Sequence, residues 1–328
     1  MTSDTRPGED GAAVPSGRPR TPGDRVALRG DLRSALPDAS AAVVVTALVF
    51  ALLWARMQSG TSDTVAVMPF MDDARTYWMY LLSQAFGWSG LLWAWGTVML
   101  GLLLSGPRPA RPAVSRQVLE RWHRTTSLTT MALMFAHALM FAAELVRYET
   151  GLDWAERLWA GFADTFVPGW YDSGTGRTAI PIGQGALYLA IPLGLLFYVR
   201  HRIGATTWRR LHRFVIVVYV LSVWHTLLYG TNVWYGEWPR TALWLLQLPV
   251  AALLLLRLLR PARRVERLGR PSGATGAARP AWWARATGRV AAGAVVVGVV
   301  VVVVSGHDGG RDRPTDPPAT APHAQETD

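Results

Sequence analysis

The stretch WRRLHRFVIVVYVLSVWHTLLYG, residues 208–230, decides the fold of this chain. It opens with three arginines and a histidine and continues as an almost wholly apolar run, with a second histidine, His225, near its end. A run of about 20 apolar residues can cross a bilayer as a helix, because a helix pairs its backbone groups within itself and leaves none exposed to lipid. The stretch therefore predicts a membrane-spanning helix that carries two histidines.

Apolar runs of this kind recur along the 328-residue chain, half of which is hydrophobic. Seven are candidate membrane helices: Leu36–Trp54, Tyr77–Leu104, Thr126–Val146, Ala179–Val199, Phe214–Tyr229, Thr241–Leu259 and Val290–Ser305. We therefore expect an all-α, polytopic membrane helix bundle with a six-helix core and a seventh C-terminal membrane helix. The expected divisions are a disordered tail 1–34, the core 35–260, a basic linker 261–289, the seventh helix 290–305 and a disordered tail 306–328.

The charges of the chain support a membrane location and an orientation within it. All 33 basic residues are arginine and the net charge is +10, but the arginines flank apolar runs, so the expected partner is the lipid bilayer and not nucleic acid. Twenty-five of the 33 lie in 1–34, 105–125, 200–213 and 257–289. Because cytoplasmic loops are enriched in arginine, we expect a multi-pass protein of the cell membrane, with a cytoplasmic N-terminus and an extracytoplasmic C-terminus.

Four histidines lie on two of the predicted spans, His123 and His137 on the third and His212 and His225 on the fifth. The two spans run in the same direction, so His123 and His212 share an inner level and His137 and His225 share an outer level. The axial separations, about 21 Å and about 19.5 Å, agree closely. The sequence therefore predicts two levels in the bundle, each with one histidine from each helix.

These histidine pairs fit axial ligands of haem iron, since neutral imidazole is a good ligand for iron. We expect two haem b groups, an inner one on His123 and His212 and an outer one on His137 and His225; four unrelated interfacial or packing histidines are the alternative. A spacing of 14 residues keeps His123 and His137 on one face, whereas 13 residues fall about 140° short of whole turns. The fifth span is therefore either distorted, or its histidines reach their haems from different sides.

Several arginines crowd the inner histidine level, and they have two interpretations. They either only orient the chain in the membrane or also pair with haem propionates, because an arginine forms strong bonds with a carboxylate. The candidates for this second role are Arg121, Arg124, Arg209 and Arg213.

At these residues the chain resembles the ferric reductase-like transmembrane domain family, which includes ferric reductases, NADPH oxidases and the haem-binding subunit of a bacterial methionine sulfoxide reductase system. The resemblance rests on the pattern H-x13-H at His123 and His137, on H-x12-H at His212 and His225, and on WRRLHRF, and it covers roughly residues 36–260. It implies a six-helix core that stacks two b-type haems and passes electrons across the membrane.

The chain departs from many of these relatives after the sixth span. No Gly-rich dinucleotide turn appears in the basic segment that follows, so we expect the haem-binding membrane component of an oxidoreductase, with no catalytic residue assigned. A separate flavoprotein reductase or a quinol would donate electrons, and ferric iron, oxygen or a partner protein would accept them outside the cell. The alternative is a haem-sensing or haem-free membrane scaffold.

Overall fold

A computed structural model describes residues 24–106, 114–259, 278–305 and 310–313 of the chain. These ranges are almost entirely helical. In chain order the helices are α1 (Asp24–Ser34), α2 (Leu36–Gln58), α3 (Asp63–Val67), α4 (Trp78–Ser105), α5 (Arg116–Tyr148), α6 (Trp154–Phe166), α7 (Gly176–Leu195), α8 (Arg200–Ile203), α9 (Ala205–His212), α10 (Val215–Tyr229), a 3₁₀ turn (Thr231–Val233), α11 (Trp238–Leu245), α12 (Gln247–Leu259) and α13 (Ala278–Ser305).

Within the described ranges, six helical stretches are long and apolar enough to cross a membrane. They are α2, α4, α5, α7, the consecutive pair α9 and α10, and the consecutive pair α11 and α12. In these ranges, β-type hydrogen bonding consists of one isolated bridge between Tyr235 and Arg311. The predicted all-α, multi-pass membrane helix bundle is confirmed.

The predicted seventh span corresponds to α13. Its apolar part, Ala286–Val301, is shorter than the six other spans, and α13 packs against α11 and α12. Beyond α13, the Arg311 amide donates to the Trp234 carbonyl and the Gly236 amide donates to the Arg311 carbonyl, at 3.1 and 2.8 Å. This C-terminal helix therefore leads to the end of the bundle where α10 finishes.

Two segments predicted to lie outside the helices contain helix. Residues 24–34 were expected to belong to a disordered tail but form α1, and residues 278–289 of the expected linker form the start of α13. Asp31 of α1 forms an ion pair with Arg124 at 3.2 Å and accepts a hydrogen bond from the Tyr198 hydroxyl at 3.0 Å. These contacts with distant residues order α1, and local composition does not reveal them. Residues 1–23 lie outside the described ranges.

Four helices form a ring at the centre of the bundle. α4 and α7 each pack against both α5 and α10, so α5 and α10 face each other across the ring. One end of the ring, which we call the arginine-rich end, contains the start of α5, the end of α7, and α8 and α9. The far end contains α3, the 3₁₀ turn and the segment 310–313.

Candidate haem-binding site

The ring of four helices brings the histidines together as two pairs. The rings of His123 and His212, the arginine-side pair, have centroids 5.9 Å apart and planes at 85°. The rings of His137 and His225, the far-side pair, have centroids 6.0 Å apart and planes at 72°. The structure therefore places the four side chains in the two levels that their spacing predicts.

Three of the four imidazoles are oriented by backbone carbonyl groups. His137 Nδ1 lies 2.8 Å from the Ser83 carbonyl oxygen, and His225 Nδ1 lies 2.8 Å from that of Ala179. His123 Nδ1 lies 3.1 Å from the Thr97 carbonyl oxygen. A carbonyl oxygen can only accept, so each Nδ1 carries the proton and donates it. In each neutral ring, Nε2 then keeps a lone pair for a metal.

His212 lies in a different environment. Its ring stacks on Trp208, with centroids 5.3 Å apart and planes at 23°. Within the described part of the chain, His212 Nδ1 and Trp208 Nε1 are both buried without a hydrogen-bond partner. The Leu193 carbonyl approaches the His212 ring without forming a hydrogen bond of normal geometry. Sequence reasoning did not single out Trp208, although it lies four residues before His212, on the same face of α9.

The fifth span is interrupted between its two histidines, both of which lie against histidines of α5. The α-helix stops at His212 and resumes at Val215. Across the gap, the Phe214 amide donates to the Leu211 carbonyl and the Val217 amide donates to the Phe214 carbonyl, both at 2.9 Å. These bonds between residues three apart tighten the turn and change the rotation per residue. The structure thus has the distorted fifth span, the first of the two possibilities that the spacing allows.

A cavity surrounds the far-side pair. It is lined mainly by apolar and small residues of the four ring helices, among them Gly87, Leu91, Met134, Gly183 and Leu187. Tyr229 lies beside His225, with ring centroids 6.1 Å apart, and its hydroxyl group is 3.1 Å from that of Tyr171. Polar residues, among them Gln84 and Asn232, also line this space.

The geometry fits an iron that brings its own equatorial ligands. A metal–imidazole bond is about 2 Å long and a ring centroid lies about 1 Å beyond the nitrogen, so two imidazoles on one metal have centroids about 6 Å apart, as both pairs have. No group of three or more histidine, aspartate or glutamate side chains converges on a metal position in the ranges described, and the chain has no cysteine. Two protein ligands at each level suit haem iron, whose macrocycle supplies the remaining donors.

The four predicted propionate partners occupy different positions. Arg124 pairs with Asp31 and lies over the Phe197 ring at 5.6 Å. Arg121 lines a groove beside Asp38. Arg209 donates to the Thr206 hydroxyl of its own helix, and Arg213 is exposed directly after His212.

The propionate role of these four arginines remains a prediction. Sequence reasoning did not single out Arg257 as a candidate for this role. Its position in the last turn of α12, at the arginine-rich end, was the available signal.

The fold and the histidines define a multi-pass membrane helix bundle with two histidine pairs between α5 and α10. Residues 92–223 match the family model of the ferric reductase like transmembrane component, which confirms the resemblance over this part of the chain. The matched segment contains His123, His137 and His212 and ends just before His225. No curated protein and no solved structure matched the chain.

Proposed function

We propose that the protein carries electrons across the membrane through two b-type haems, one held by each histidine pair. The observation that supports this most directly is the stacking of two pairs, each with ring centroids about 6 Å apart, at two levels of one helix ring. Haem iron takes up and releases one electron at a time between its ferric and ferrous states. The match to the ferric reductase like component supports electron transfer as the general activity.

The chain's own residues supply ligands, orientation and an apolar surrounding. Nε2 of each histidine would bind the iron, while the carbonyl groups of Ser83, Thr97 and Ala179 hold three of the rings by Nδ1. His123 and His137 are separated along α5 by about 21 Å, which places the two levels across much of the hydrocarbon core of about 30 Å. The far-side pair lies in a cavity whose lining is mainly apolar.

We place the electron donor at the arginine-rich end, on the cytoplasmic side, and the acceptor outside. Exposed arginines at that end, including Arg116, Arg200 and Arg210, favour an acidic protein surface. Residues 260–277, between α12 and α13, are too few for a dinucleotide-binding domain, which needs about 100 residues or more. The donor in this proposal is a separate flavoprotein or a quinol, and the acceptor is ferric iron, oxygen or a partner protein.

The first test is the haem content of the purified protein. We expect two haems per chain with the spectrum of a six-coordinate, low-spin b-type haem. His137→Ala or His225→Ala should each leave one haem, and His123→Ala or His212→Ala should each leave the other. His201→Ala is the control, because His201 is exposed and belongs to neither pair. A colourless wild-type protein, produced with ample haem, would contradict the proposal.

The second test is the source of electrons. Dithionite should reduce both haems of the purified chain, whereas NADH or NADPH alone should not. Addition of an acidic flavoprotein reductase should allow reduction by NADPH, and the rate should fall with rising salt as surface charges are screened. Rapid reduction by NADPH in a preparation that contains only this polypeptide would rule out a separate donor.

A further inference from the structure

Three glycines of the ring helices lie against three of the four histidines. A Cβ atom added to Gly87 of α4 would lie 3.1 Å from His137 Nδ1, and one added to Gly101 would lie 3.2 Å from His123 Cε1. A Cβ atom added to Gly183 of α7 would lie 2.7 Å from His225 Nδ1. Any other residue at these positions would push against an imidazole ring, and at Gly183 the ring would have to move.

Each of these glycines lies four residues after the residue whose carbonyl group accepts a hydrogen bond from the histidine. Gly87 follows Ser83 by four residues, Gly101 follows Thr97 by four and Gly183 follows Ala179 by four, and these carbonyls accept from the histidines. In an α-helix the carbonyl of residue i points toward the amide of residue i+4, and its second lone pair can accept another donor. A ring that reaches this lone pair from the side must pass over residue i+4, where only glycine has no side chain.

His212 provides an internal comparison. The backbone carbonyl of α7 that lies near His212 is that of Leu193. The residue four positions later is Phe197, which lies beyond the end of α7 at Leu195. In the described part of the chain His212 Nδ1 has no hydrogen-bond partner. His212, which has no facing glycine, is therefore also the histidine whose carbonyl contact, with Leu193, falls short of normal hydrogen-bond geometry.

We infer that Gly87, Gly101 and Gly183 are positioning residues for the haem ligands, an inference that rests on the proposed function. Their missing side chains let each imidazole lie close to the neighbouring helix, with Nδ1 bonded to the carbonyl, which leaves Nε2 as the atom that would bind the iron. A histidine that donates from Nδ1 is a more basic ligand. Loss of this bond should therefore favour ferrous over ferric iron and raise the reduction potential of the affected haem.

The main experiment compares Gly183→Ala with Gly185→Ala in the full chain. Both changes add one methyl group to α7, but at Gly185 the nearest heavy atom, Leu221 Cδ1, is at 3.8 Å, an ordinary contact. Gly183→Ala should lose the far-side haem or give it an altered low-spin electron paramagnetic resonance signal and a higher potential, with the other haem unchanged. Gly185→Ala should match wild type. The signals are assigned with His225→Ala, which keeps only the arginine-side haem.

A milder pair of variants on α4 keeps the test available if Gly183→Ala does not accumulate. Gly87→Ala should alter the far-side haem through His137, while Gly96→Ala, which has no heavy atom within 4 Å of the added methyl group, should not. A double-mutant cycle then separates positioning from packing. In a His225→Ala background, Gly183→Ala should change neither haem content nor melting temperature.

The outcomes distinguish this inference from the proposed function. A wild-type protein without haem would overturn both. A two-haem wild type in which Gly183→Ala and Gly87→Ala behave like their controls would overturn the positioning role alone. The positioning role would also be overturned if Gly183→Ala destabilises the His225→Ala protein, or fails to accumulate there, because the glycine would then serve helix packing and not the ligand.

Discussion

At the residue scale, Arg313 joins two separate loops at the far end of the bundle. Its guanidinium group donates to Asp63, at the start of α3, and to Glu237, before α11, and it lies 4.8 Å over the Tyr235 ring. The bond from Arg313 holds the pKa of Glu237 below its ordinary value. Because the folded-state pKa is lowered, this contribution to stability is present above the ordinary pKa and is lost as pH falls through the lowered value.

Arg313→Gln should therefore lower the stability of the far end by about 1 kcal/mol or less, because the pair is partly exposed. Thermal unfolding measured from pH 7 to well below the ordinary glutamate pKa of 4.5 should show a smaller loss of melting temperature on acidification in the variant than in wild type. Arg202→Gln, which changes an arginine at the opposite end, should follow the wild-type profile. Superimposable pH profiles of wild type and Arg313→Gln would show that this ion pair contributes nothing.

At the scale of elements, the fifth span is two helices joined at Arg213 and Phe214. The tight turn at this junction lies between His212, which faces His123, and His225, which faces His137. An inserted residue would turn α10 by about 100° relative to α9 and shift it by about 1.5 Å. The junction thus sets the register between the two levels.

Insertion of one alanine after Phe214 should therefore break one histidine pair and leave about one haem per chain. The control is an alanine inserted within residues 107–113, in the connection between α4 and α5, which should keep both haems. Haem content and the low-spin spectrum of the two purified proteins give the answer. Two normal haems in the Phe214 insertion would mean that the junction does not set the register.

At the scale of the whole molecule, the bundle has two chemically different ends. The arginine-rich end carries the exposed residues Gln117 and Arg202, and the far end carries the exposed residues Ser59 and Asp312. Positive charge favours the cytoplasmic side, so we expect the arginine-rich end inside the cell. Electrons would then enter at the arginine-side pair and leave at the far-side pair.

Because the chain has no cysteine, this orientation can be tested with single cysteines. A membrane-impermeant maleimide added to intact cells should label Ser59→Cys and Asp312→Cys but not Gln117→Cys or Arg202→Cys. Permeabilised cells should show labelling of all four, which controls for buried or unreactive thiols. Labelling of Gln117→Cys in intact cells would reverse the predicted topology, and failure to label Asp312→Cys there would place α13 differently.

Much of the fold and the location of the site follow from the sequence by itself. Apolar runs of bilayer length predict helices, because no other short segment can satisfy its backbone groups in lipid. The 14-residue spacing places His123 and His137 on one helix face through helix geometry alone. The direction of the spans along the chain then pairs them with His212 and His225, so the residues of the site could be named before their contacts were known.

Only the tertiary structure decided the features that depend on contacts between distant parts of the chain. The 13-residue spacing left the direction of His225 open, because the rotation across the junction depends on a local tightening that the apolar pattern does not encode. Residues 24–34 form a helix because Asp31 meets residues of α5 and of the segment after α7. The positioning role inferred for Gly183 depends on the contact with His225. The sequence does not show which residue lies against a glycine, so only the tertiary structure could point to this role.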